Sequence, residues 1–142
     1  MSTLKWVSGL VAAAAIIAGG AASAHHAFSA EFDAKQPVQI SGVVTKTRWV
    51  NPHSWIYLDV KGDDGSVTNW GFEFGSVSAL ERVGLTKSAL PPGTPLTIKG
   101  YRSRNGGPFG YTVTATLSDG RKFQLGAAQD GAPPEPETGA SK

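Results

Sequence analysis

The sequence predicts a small, mainly β domain: an OB-like barrel of five to six strands with one short helix, behind an N-terminal signal peptide. Three observations point there. Over residues 38–125 the apolar side chains recur mostly at period two, the mark of strands with one buried face. Gly, Pro, Asn and Asp punctuate that pattern at short intervals, as hairpins and turns require. A single segment, residues 76–83, breaks the alternation with helical spacing.

The elements follow in order. Residues 38–44 open a strand that runs to Val50, with Gly42 placed as the bulge where a barrel strand bends, and Asn51-Pro52 closes it. A second strand spans 55–60, and Gly62-Asp63-Asp64-Gly65 is a hairpin signal leading into a third at 67–74. The helix at 76–83 has Ser78 and Glu81 at capping-box spacing, Val77, Leu80 and Val83 within reach of one face, and Gly84 as its stop. Pro91-Pro92-Gly93 turns the chain into a strand at 96–101, where Pro95 is tolerated because no ladder donor is needed at the start. Tyr111, Val113, Ala115 and Leu117 alternate along the next strand, and Ser118-Asp119-Gly120 turns it toward Phe123. Three strands, a helix and two more strands is the OB order. A small sandwich or a lipocalin-like barrel has similar strand signals. Beyond Gly126 the composition shifts to Ala, Pro, Glu, Gly and Ser without apolar period, which predicts a disordered tail over 127–142.

The first segment addresses the chain to export. Lys5 precedes an apolar run over residues 6–18, and small residues follow to Ala22-Ser23-Ala24, an Ala-x-Ala cleavage site. The run is short for a bilayer span, which needs roughly 20 residues. Cleavage of residues 1–24 removes the only Met and leaves a domain over 25–126, periplasmic or secreted. The formal charge of +2 arises from 13 basic and 11 acidic residues that are interspersed, so no basic block advertises nucleic acid. With no Cys, thiolate zinc sites, iron–sulfur clusters, disulfides and thiol catalysis are excluded.

Any metal must then be held by His, carboxylate or backbone groups, and the three His are placed suggestively. His25 and His26 directly follow the cleavage site, and His53 sits in Trp49-Val50-Asn51-Pro52-His53-Ser54-Trp55. Cleavage after Ala24 makes His25 the mature N-terminus, whose amine and imidazole chelate one ion. A further imidazole from His26 or His53 completes a nitrogen-rich plane, which suits Cu(II). That arrangement resembles the histidine brace of periplasmic copper carriers and copper oxygenases. Cleavage after Ser23 leaves Ala24-His25-His26, a second square-planar Cu(II) set. Without Cys or Met the mature chain has no soft ligand for Cu(I). The plain alternative is a solvated terminus with adventitious affinity, and a His53 that caps a turn. Phe28 and Phe32 favour the specific site, because two aromatics just after His26 are suited to pin the lead-in onto the barrel.

Other candidates are weaker. Glu73, between Phe72 and Phe74, shares a strand face with Asn69 and Gly71, which predicts solvent exposure, with support of a metal ligand as the minority role. Trp49, Trp55, Trp70 and Tyr57 are either core or the lining of an aromatic groove for a small ligand or periplasmic protein partner. No Gly-x-Ser-x-Gly, phosphate loop, HExxH helix or dinucleotide fingerprint occurs, so the expectation is a non-enzyme.

The segments His25-His26-Ala27-Phe28, Trp49-x-Asn51-Pro52-His53-x-Trp55, Asn69-Trp70 with Glu73-x-Gly75-Ser76, Gly100-Tyr101 and Asp119-Gly120-Arg121 together resemble an exported bacterial domain-of-unknown-function family, number 6152 of that series. The resemblance spans nearly the whole mature chain except the tail. It imports no activity, and implies that His25, His26 and His53 belong to the family's pattern. The leading expectation is therefore an exported Cu(II)-binding protein that carries or buffers the ion at those three His. The alternatives are an envelope interaction or ligand-binding module using the groove and, least favoured, a copper oxygenase, for which so small a barrel has little substrate surface.

Overall fold

Period-two alternation becomes six strands: β1 Phe32–Arg48, β2 Trp55–Lys61, β3 Val67–Glu73, β4 Pro95–Ser103, β5 Phe109–Leu117 and β6 Lys122–Gln124, with helix α1 at Val77–Arg82 and a 3-10 turn at Lys87–Ala89 before β4. The computed structural model describes residues 28–126 and 131–136. The expected signal peptide, His25 and His26 lie outside the described residues. One sheet runs β3-β2-β1-β4-β5-β6, its consecutive neighbours antiparallel. A parallel pairing of β3 with β5, Gly71↔Phe109 through Glu73↔Tyr111, then closes five strands into a ring. This mainly β, OB-like connectivity is the expected one, with the helix between β3 and β4. Among the described residues no helix is long and apolar enough to cross a membrane.

The ring encloses the alternating residues. Leu58, Phe72 and Ile98 are fully buried, with Val44, Ile56, Leu96 and Ala115 beside them. Each of these side chains other than that of Ala115 contributes about 1.5–3 kcal/mol by leaving water. Leu80, Leu85 and Leu90 cover one end of this core from α1 and the chain after it.

Two local expectations are corrected. The N-cap of α1 is Ser76, not Ser78: its backbone is extended, and its hydroxyl accepts from the Ala79 N–H at 3.3 Å. Gly84, at φ 81°, ends the helix as foreseen. Its N–H donates to the Glu81 carbonyl and that of Leu85 to Leu80, a Schellman closure that buries Leu80 against Leu85. The bulge in β1 falls between Val44 and Lys46, not at Gly42. Gly42 is a ladder residue opposite Leu96, and a Cβ there would stand 2.6 Å from the Asp59 carbonyl oxygen. That glycine allows close approach of β2; Thr45, in the bulge, donates its hydroxyl to the Tyr57 carbonyl.

β1 also starts six residues earlier than the alternation does. Phe32 pairs with Ser103 of β4 across an irregular stretch to Pro37, and the polar residues between carry no apolar period to announce it. Residues 131–136, which composition places in a disordered tail, lie against the sheet. There the Tyr101 phenol donates to the Pro134 carbonyl, and Glu135 pairs with Lys99 and Lys122. These contacts are polar, which is why no hydrophobic pattern foretells them.

Candidate functional site

The loop between β1 and β2 is clamped from both sides. Ser54 extends the β2–β3 ladder, its N–H donating to the Gly75 carbonyl and its carbonyl accepting from the Phe74 N–H. Asn51 accepts the Val77 N–H at 3.1 Å, so the loop also caps the first turn of α1. His53, between these two anchors, is carried to the end of β3.

There it meets Glu73. His53 Nδ1 donates to Glu73 Oε1 at 2.7 Å. The histidine side chain is 47% exposed and the carboxylate 8%, so a buried acceptor orients a half-open ring. A hydrogen bond at Nδ1 selects the tautomer whose Nε2 carries the lone pair, the form in which a histidine ligates a metal. The expectation of a solvated Glu73 is thus corrected. Alternation assumes one covered face, but Gly71, Phe72 and Glu73 are all buried, because the chain of β5 runs beside them and His53 lies over the strand's end.

The lead-in is pinned as the aromatics suggested. Residues 28–31 form a helical turn, and Phe28 and Phe32 are buried against Tyr101, Tyr111 and Val113. Phe28 stands edge-on to Tyr111 at 5.2 Å and to Tyr101 at 5.8 Å between centroids, arrangements that add to simple burial. The same Phe28 shares a cleft of about 480 Å³ with Phe32, His53, Trp55, Glu73 and Tyr111, and Glu31 reaches it too. The described end of the lead-in and the histidine on the ring therefore face one space.

In the sequence His26 and His25 stand two and three residues before Phe28. Among the described residues no three His, Asp or Glu side chains gather as a ligand group, so His53 is the one predicted ligand whose place the structure gives.

The four aromatics that the sequence offers as core or groove lining divide between the two. Trp55 lines the cleft, its ring edge-on to Phe109. Trp49 and Trp70 instead pack on the enclosed core, Trp70 stacked on Phe72 and covered by the Arg102 guanidinium at 5.2 Å. Tyr57 lies under the Lys46 ammonium at 5.9 Å. Tyr111 and Asn51 were not singled out in the sequence. The only signal for Tyr111 was alternation, which marks it as core, and Asn51 read as a turn residue.

The model of a family of unknown function, DUF6152, matches residues 13–112. The chain belongs to DUF6152. Neither the curated proteins nor the solved structures contain a match to it. The DUF6152 match takes in His25, His26, Phe28, His53, Glu73 and Tyr111, and stops before β6 and the tail. Every residue of the candidate site thus lies within the matched span.

Proposed function

We propose that this chain is an exported protein, periplasmic or secreted, that carries or buffers Cu(II) through its mature N-terminus, His25, His26 and His53, without catalysing a reaction. One observation carries the reading. A buried carboxylate, Glu73, holds a half-exposed histidine by Nδ1, and the cleft in front of that histidine is shared by Phe28, two residues downstream of His26. A carboxylate behind a ligating imidazole fixes its orientation and raises its basicity. Nitrogen ligands in a planar set favour Cu(II) among the divalent first-row ions, and the absence of Cys, together with loss of the single Met on signal cleavage, fits the oxidised ion.

The test is isothermal titration of Cu(II) and Zn(II) into the exported protein, with its N-terminus read by mass spectrometry. The expected result is one tight equivalent of copper, weaker zinc, and copper affinity at least roughly tenfold lower in His53→Ala. Copper binding indifferent to His53 would leave an adhesive terminus on a barrel and end the proposal. The same cleft, at about 480 Å³, has the size of a small-molecule site. A ligand that binds equally well with His25 and His26 replaced by Ala would favour that second reading.

A further inference from the structure

We infer that the surface formed by β4, β6 and the lead-in is a recognition site for an acidic proline-rich peptide segment, held in this structure by residues 131–136 of the chain itself. The occupant is Gly131-Ala132-Pro133-Pro134-Glu135-Pro136, and three features of it are met by three parts of the fold. Its backbone is read at Pro134, whose carbonyl accepts from the Tyr101 phenol at 2.7 Å. Its charge is read at Glu135, whose two oxygens take Lys122 Nζ at 2.6 Å and Lys99 Nζ at 3.2 Å. Its shape is read at Ala132, which packs on the cluster of Phe28, Tyr101 and Tyr111, while Pro136 is buried at the far end.

The segment is a prepared ligand. Proline fixes φ in three of its six residues, and the residue before a proline is itself restricted, so the backbone of 132–136 has few conformations to choose from before it docks. Little conformational entropy is then lost on binding, the advantage that aromatic surfaces use when they select proline-rich chains. The carboxylate adds what such chains lack, a charge that fixes direction and register between two lysines. Burial pushes the Tyr101 phenol above its ordinary value, so it remains a donor through the whole physiological range.

The occupant belongs to the same chain as its surface and so is present at high effective concentration, and a partner segment of the same chemistry binds by displacing it. Because Ala132 leans on the Phe28 cluster, exchange of the occupant is felt by the lead-in. This inference stands on the tail contacts and is independent of copper.

The probe is a synthetic peptide of the sequence of residues 131–136, titrated into the intact chain carrying Glu135→Lys, with the Tyr101 ring resonances as the readout. The expected result is saturable shifts at millimolar peptide. They weaken roughly tenfold when the peptide carries Gln in place of Glu, or when Lys99 and Lys122 are both replaced by Glu. No shift at Tyr101, or shifts equal for both peptides, overturns the proposal. Should Glu135→Lys fail to fold, Glu135→Gln is the recipient instead, and the Ala132 methyl resonance is followed in the wild-type chain and in Tyr101→Phe. A shift of that methyl on loss of the phenol supports the site, and an Ala132 resonance unmoved by Tyr101→Phe refutes it.

Discussion

The apolar cluster inside the ring and the one at its end differ in who builds them. Inside, Val44, Ile56, Leu58, Phe72, Leu96 and Ile98 come from alternate positions of neighbouring strands, mostly aliphatic, with leucines from α1 and the following chain as the cover. At the end, Phe28 and Phe32 from the first described part of the chain and Ala132 from the last meet Tyr101 of β4 and Tyr111 and Val113 of β5, four aromatic rings in all. The first cluster is made by the sheet for the sheet. The second attaches the termini to it, and the His53–Glu73 pair sits at the cleft that the second cluster borders. Stability and site are therefore separable, and substitutions should sort by cluster.

The largest effect belongs to the enclosed core. Phe72→Ala removes a fully buried ring and should cost about 3–5 kcal/mol by chemical denaturation, a large share of the stability of a domain this size. Phe28→Ala should cost less than about 3 kcal/mol, because what is lost is the docking of the lead-in. Amide exchange should then rise at residues 28–32 while β2 and β4 keep their protection. Equal loss of protection everywhere would show that the two clusters are one cooperative unit, and the distinction would fail.

A smaller change addresses the site alone. Glu73→Gln keeps the shape and removes the carboxylate behind His53, and should lower copper affinity roughly 10–100-fold with little change in the denaturation midpoint. A variant that loses stability and keeps affinity would make Glu73 a structural residue.

The smallest effect lies in the tail. The Lys122 hydrogen bond, and then that of Lys99, holds the Glu135 carboxyl below its ordinary value of 4.5. A carboxyl depressed by folding contributes fully above its unfolded value, and that contribution is lost as pH falls through the lower folded value. Tyr101 resonances should thus be constant from neutral pH down to about 4.5 and move below it, with the core unchanged. Salt should shift them in the same direction, because the ion pairs are partly exposed.

The contrast between clusters also explains what could be read in the sequence. Strand order, the helix and its Gly84 stop were legible because each depends on local period or local backbone chemistry. The role of Phe28 and Phe32 was legible as a hint, two aromatics in a polar lead-in. Burial of Glu73 was not, because it follows from β5 lying beside the last residues of β3, a pairing between residues distant in sequence. The same holds for Asn51, which caps a helix 26 residues away, and for Trp49 and Trp70, whose assignment to core or groove depends on how the ring closes. In the tail, the contact of Pro134 with a phenol and those of Glu135 with two lysines were not legible, because no periodicity connects these partners.

The most direct test of the central claim, that ring and lead-in share one metal ion, is pulsed electron paramagnetic resonance of the exported protein loaded with one equivalent of Cu(II), beside His53→Ala. The account predicts that the variant loses the remote-nitrogen coupling of one imidazole and that its copper signal shifts. Identical spectra from the two proteins would mean that copper never touches the ring of strands, and would contradict it.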